Sequence, residues 1–158
     1  METQTSTITK DAEKFLQTKK SSPNAYVVLL GLKVFDVTGL LKALEKGLPW
    51  TAFTRFVRNS GLPPEQVAEL VDIPRRTLAR RKAEGRFHAD ESDRLLRAAR
   101  VYSRALDLYA GDREAAADWF TYPNWALGRV SPLQFARTGI GAEYVENLVG
   151  QIEHGIFS

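Results

Sequence analysis

At 158 residues, 44% of them hydrophobic and 26% charged, the chain can bury a core as one domain or as two small lobes, and two lobes fit its charge distribution better. It holds no cysteine, which excludes disulfides, thiolate catalysis and cysteine zinc sites and suits a reducing cytoplasm. The net charge is only +3, no apolar run approaches the ~20 residues of a membrane span, and the first 22 residues lack the apolar core of a signal peptide, so a cytoplasmic protein without a membrane partner is expected.

Residues 1–23 are rich in Ser, Thr, Lys and Gln with little to bury, and read as a mobile tail or a frayed helix. The next segment, AYVVLLGLKVF, is apolar and β-branched enough for a strand, while a buried helix start fits equally well at this length. Asp36 or Thr38 can cap a helix through Leu40, Leu41 and Leu44, with Gly47 as its left-handed C-terminal cap. Pro49 opens a further helix in which Trp50, Phe53, Phe56 and Val57 share a face, and Gly61 closes it. With no basic groove beside them, these aromatics read as core and not as base-stacking groups.

The stretch LPPEQVAELVDIPRRTLARR, residues 62–81, reads as a helix-turn-helix. Pro63 and Pro64 suit a first helical turn, where a missing N–H costs nothing, and Val67, Ala68, Leu70 and Val71 supply an apolar side. Asp72 lies where the chain must turn sharply, and aspartate tolerates the left-handed conformation better than most residues. Pro74 then opens a second helix with Ile73 and Leu78 facing the core, leaving Arg75, Arg76, Thr77, Arg80 and Arg81 outward. A helix fits the major groove of double-stranded DNA, its first turn reaches base edges, and guanidinium groups pair with guanine or grip phosphates. On that geometry Arg75, Arg76 and Thr77 specify, while Arg80, Arg81 and Lys82 anchor. The competing reading is a solvated helix face. Since one helix-turn-helix reads only a half-site, a homodimer is expected, with the apolar segment 26–37 as its contact surface.

From position 74 to 104, ten basic residues face four acidic ones, whereas beyond 104 only Arg113, Arg129 and Arg137 oppose seven acidic residues. A basic middle and an acidic end point to two partners, nucleic acid for the first and something electropositive for the second. Gly85 marks a break, and Asp90 or Ser92 can cap a long helix over 93–110 that joins the lobes. Its arginines, Arg94, Arg97, Arg100 and Arg104, either extend the phosphate-contacting surface or simply solvate the helix. Beyond it come a helix capped by Asp112, a turn-rich link TYPNWALG, a Ser-Pro start at Ser131 and a last helix with Val145, Leu148, Val149 and Ile152 at helical spacing.

Two patterns now stand in order along the chain. The first is GLP at 47–49, then Arg76, Thr77, Leu78, Arg80 and Arg81, then Glu91, Ser92, Asp93, Arg94 and Leu95. The second is Ala116, Trp119, Phe120, Pro123, Asn124, Ala126, Leu127 and Gly128, followed by Ser131, Pro132 and Leu133, with Thr138, Gly141, Val145, Leu148, Ile152 and Gly155 closing it. Over about three quarters of its length the chain thereby resembles the Xre/MbcA/ParS antitoxins, whose genes pair with RES-domain toxins. The resemblance implies an all-α dimer: a helix-turn-helix domain for operator binding and dimerisation at 24–92, then a linker helix and a small helical toxin-binding domain at 93–158. RES toxins resemble ADP-ribosyltransferases and consume NAD, so the implied role is inhibition of that enzyme together with control of its own operon. No cofactor is implied. The chain departs from the pattern at Arg129 and Val130, where relatives often have a second glycine after Gly128.

An NAD pocket must attract a pyrophosphate, so an acidic lobe complements its mouth, and aromatic anchors would then hold the complex. Trp119, Phe120, Tyr122, Trp125 and Phe157 are the candidates, with Trp119 and Phe120 better suited to the core. The expected toxin-binding set is Trp125, Arg129, Glu153, His154, Phe157 and Ser158, with the segment 153–158 reaching over the toxin's pocket. An enzyme is disfavoured by inventory, since His88 and His154 are the only histidines and no phosphate loop or metal-ligand spacing is present. A free-standing transcriptional regulator, using its second lobe to dimerise or to sense a ligand, is the alternative.

Overall fold

The computed structural model describes residues 25–34 and 36–155; the tail expected at 1–23 and the terminal Phe157 and Ser158 lie outside the described residues. Among the described residues every regular element is helical, apart from two isolated β-bridges. Burial decides the segment after position 24. Ala25–Leu29 forms a short helix, α1, and Val27, Leu29 and Leu30 are wholly buried. Side chains from further along satisfy the backbone where α1 ends: the Asn59 amide donates to the Leu29 carbonyl and Arg55 to that of Gly31, each at 3.0 Å. Val27, Leu29 and Leu30 are spent inside the protomer, so that part of the segment expected to meet a second copy, 26–37, is not offered to one. The large apolar residues exposed nearby are Val37 and Leu41.

Helix α2, Val37–Lys46, is capped by Asp36, whose carboxylate accepts from the Gly39 N–H at 2.9 Å. At its end Gly47 has φ 92° but ψ 135°, so it is not the left-handed cap the sequence suggested. The cause is a close pass, because a Cβ at Gly47 would collide with the Phe87 carbonyl oxygen. Here two pieces of chain clasp: the Trp50 N–H donates to Gly85 O, and the Phe87 N–H to Leu48 O, both at 2.9 Å. Trp50, Phe53 and Phe87 stack beside the clasp, with ring centroids 5.1 to 6.3 Å apart.

Helix α3 (Trp50–Ser60) leads into the two helices of the expected helix-turn-helix, α4 (Pro64–Val71) and α5 (Arg75–Glu84). The long helix α6 is Ala89–Leu108, beginning four residues before the expected start. Neither Asp90 nor Ser92 caps it. Glu91 reaches back to accept from the His88 N–H at 2.8 Å, and the buried Ser92 hydroxyl accepts from Leu48 N–H and donates to the His88 carbonyl, each at 2.8 Å. Then come α7 (Arg113–Thr121), a 3-10 turn (Trp125–Leu127), α8 (Pro132–Phe135) and α9 (Gly139–Glu153), whose first turns are capped by Asp112, Asn124, Ser131 and Thr138.

Helix α6 is the spine. It packs against α1, α2, α3 and α4 on the N-terminal side and against α7 and α9 beyond, and Ala98, Ala99 and Ala105 on it let its neighbours approach closely. Tyr102 sits at the centre, fully buried, edge-on to Phe56 of α3 and to Phe120 of α7 at 6.1 and 5.1 Å, with its hydroxyl donating to the Ser60 carbonyl at 2.7 Å. Burial pushes that phenol's pKa up, so it stays a donor at every physiological pH. Among the described residues a buried apolar cluster runs continuously from Leu29 to Leu148. Among the described residues no helix is long and apolar enough to cross a membrane.

A continuous core predicts one cooperative unfolding transition in urea, followed by far-ultraviolet circular dichroism and by tryptophan fluorescence. Tyr102→Phe, which removes the donor to Ser60, is expected to cost about 1–2 kcal/mol in that experiment. Two separated transitions would show instead that the halves fold independently.

Candidate nucleic-acid and partner interfaces

The turn that sets the angle of α5 is built as its residues suggest. Asp72 takes the left-handed conformation, φ 55° and ψ 48°, its N–H donating to the Glu69 carbonyl at 3.1 Å while Ile73 N–H reaches Ala68 O at 3.2 Å. Ile73 is buried and Leu78 half-buried against the core, so α5 offers its other faces to solvent. Arg75, Arg76, Arg80 and Lys82 are exposed there, and Thr77, half-buried, sits under Arg80 with Oγ1 3.5 Å from its guanidinium.

Arg81 does not join them. Only 5% exposed, it turns inward and donates from Nε to Glu91 at 2.6 Å, with a second bond to Glu84 at 3.2 Å and its remaining nitrogen 3.2 Å from His88 Nδ1. The expectation that it anchors phosphate is therefore corrected: Arg81 lies on the side of α5 that faces α6, and ties the recognition helix to the start of that helix. Burial pushes the Glu91 carboxyl up, but hydrogen bonds from Arg81 and from the His88 N–H outweigh it and hold the group below the ordinary carboxylate range.

The arginines of α6 are engaged within the protomer. Arg100 pairs with Glu146 at 2.8 Å and Arg104 with Glu153 at 3.0 Å, both acids on α9, while Arg97 pairs with Asp93 at 3.7 Å. The basic and acidic blocks that pointed to two external partners thus partly neutralise each other inside the protomer. Arg94 donates to the Asp72 carbonyl at 3.1 Å, beneath the helix-turn-helix turn.

At the other end, residues 122–130 form a compact loop closed by the Asn124 N–H donating to Val130 O at 3.1 Å. Trp125 stands out of it, 79% exposed, with the Arg129 guanidinium 4.1 Å from its ring centroid. Arg129 has φ +67°, the left-handed region that glycine adopts without cost, which explains why a glycine suits this position and makes the arginine a strained choice of about 1 kcal/mol. Phe120 is core, and Trp119 packs against the core half-buried, as the alanine-rich helix suggested. Tyr122 and Val130 are exposed on the same loop.

Two exposed residues escaped the sequence reading: Ile140, 86% exposed, and Tyr144, 52% exposed and 5.3 Å from Phe135 between ring centroids. They form an i, i+4 pair lying off the buried stripe of Val145, Leu148 and Val149, and that offset was the available signal. Glu153 is held by Arg104, and His154 is exposed just past the last turn of α9. Among the described residues no group of His, Asp and Glu is arranged to hold a metal ion.

Residues 39–100 match the antitoxin Xre-like helix-turn-helix domain, and residues 104–155 match the antitoxin Xre/MbcA/ParS C-terminal toxin-binding domain. An antitoxin Xre of Yersinia enterocolitica is 34% identical over 82% of this chain and 88% of its own length. The chain belongs to the Xre antitoxin family. A second antitoxin Xre, from Photorhabdus laumondii, is 40% identical over 73% of this chain and 78% of its own. A Sphingobium protein named Prs ADP-ribosylating antitoxin is 24% identical over 90% of this chain and 93% of its own length. In this Xre-family antitoxin the matched helix-turn-helix domain runs from α2 into α6, and the matched toxin-binding domain from the last turn of α6 through α9.

Because Glu91 has a lowered pKa, the stability it contributes is complete above the ordinary carboxylate range and is lost as the pH falls through the lowered value. Glu91→Gln is expected to lower the melting temperature by several degrees at neutral pH and by progressively less on acidification. An equal loss at all pH values in a calorimetric series would contradict this.

Proposed function

We propose that this antitoxin neutralises a RES-type, NAD-consuming toxin encoded beside it, through the exposed face around Trp125 and Arg129, and that as a homodimer in the cytoplasm it represses its own operon through Arg75, Arg76, Thr77, Arg80 and Lys82. The observation that carries the toxin contact is Trp125, an indole left exposed on a matched toxin-binding domain with its strained neighbour Arg129 lying over the ring. Large aromatic and arginine side chains are the residue types that dominate interface energies. Glu153, His154, Phe157 and Ser158 supply the second element of the contact, and Arg104 holds Glu153 at the end of α9. On the DNA side, four exposed basic residues crowd a ten-residue helix whose first turn also presents a positive dipole end.

The relative named Prs ADP-ribosylating antitoxin favours a second version of the toxin, one that transfers ADP-ribose to a protein. Both versions draw on NAD, and the fate of the ADP-ribose separates them. A free-standing regulator predicts neither.

Expression of the neighbouring gene alone is expected to deplete cellular NAD, and co-expression of the antitoxin to restore it. Trp125→Ala should weaken the purified complex by about 2 kcal/mol or more, and truncation after Ile152 should reduce protection. Unchanged NAD with the neighbour alone would leave the regulator reading. Arg75→Ala with Arg76→Ala should weaken operator binding in a mobility shift by roughly 1–3 kcal/mol per contact; unchanged affinity would remove α5 as the reading helix.

A further inference from the structure

The residue that turns the chain into the recognition helix is held by the opposite end of the protein. The Asp72 carboxylate accepts from Arg137 at 2.8 Å, and Arg137 belongs to the toxin-binding domain, between α8 and the Thr138 cap of α9. The Asp72 carbonyl meanwhile accepts from Arg94 on α6, and α4 packs directly on α8. Arg94 makes this bond at a cost, for its Nε is buried with no hydrogen-bond partner among the described residues. The turn is thus gripped from two sides by arginines that lie outside the helix-turn-helix.

We propose that Arg137 is a positioning residue for operator binding: it contacts no DNA, and by holding Asp72 it fixes the angle at which α5 meets the groove. The inference rests on the operator-binding reading above. An exposed ion pair adds little to global stability. Its effect here falls on a single left-handed turn, where a small rotation is carried to the far end of a ten-residue helix.

The sign of one substitution separates positioning from plain electrostatics. Asp72→Asn removes a negative charge near the DNA face, so a purely Coulombic role predicts tighter binding to a phosphate backbone, whereas positioning predicts weaker binding. The test uses the full chain and a fluorescent duplex spanning its own promoter, titrated by anisotropy at several salt concentrations. Arg137→Ala and Asp72→Asn are each expected to weaken binding about two- to fivefold, the double variant no more than either alone, and Arg137→Lys to stay near wild type. The slope of affinity against salt should not change, since no phosphate contact is lost. Arg137 is exposed and asparagine also tolerates the left-handed turn, so all four variants keep the core intact, which melting curves verify. Tighter or unchanged binding by Asp72→Asn, or additive losses in the double variant, would overturn the proposal. Failure of the wild-type chain to bind its promoter at all would overturn the operator reading itself, and this inference with it.

Discussion

Tyr102, buried at the centre with its hydroxyl on the Ser60 carbonyl, is the constraint around which the two halves of the fold are arranged. It brings together the end of α3, the middle of α6 and, through the edge-on ring of Phe120, the helix that opens the toxin-binding domain. A phenol in an apolar interior must find an acceptor. Ser60 supplies one because Gly61 ends α3 immediately after it, leaving a carbonyl without its next helical donor. The position of the helix-turn-helix relative to the second half is therefore set by a polar group that can be satisfied in one arrangement, while the surrounding alanines and leucines tolerate many.

Against that rigid centre, the recognition helix is lightly held. Its sequence, RRTLARRKAE, gives it a single apolar foot, Leu78, and the remaining restraint is polar: Arg81 on Glu91, the Gly85 carbonyl in the clasp, and the pinned turn at Asp72. A helix that must offer most of its surface to a groove cannot also bury much of it. Directional bonds at its two ends replace the packing it gives up, and they set its orientation more narrowly than its small apolar contact could.

What the sequence made legible was whatever depends on neighbours in the chain. The capping residues Asp36, Asp112 and Ser131, the left-handed Asp72, the aromatic stripe of α3 and the helix-turn-helix all follow from spacing and from local backbone chemistry. What stayed hidden depends on residues far apart. The segment after position 24 is a helix because α6 covers it, a fact absent from its β-branched composition. Gly47 departs from a helical cap because Phe87 arrives from forty residues away. Arg81 looked like its neighbours Arg80 and Lys82 until Glu91 was placed beneath it. The arginines and acids of the second half read as two surfaces because charge along a chain does not say which signs will meet, and Arg100 with Glu146 and Arg104 with Glu153 are such meetings. At the candidate toxin face, Trp125 and Arg129 could be picked out as a turn-rich exception, whereas Ile140 and Tyr144 were masked by a strong buried stripe on the same helix.

The two matched regions abut between positions 100 and 104, inside α6 and astride Tyr102. For a two-function protein this is an unusual place for a seam, since exchange between genes succeeds where few contacts cross. A crossover here would join one lineage's α3 to another's α7 across a phenol that touches both, and the packing around it would have to be refitted. The two matched regions share one interior in this way, so a change that repacks either of them is felt by the other.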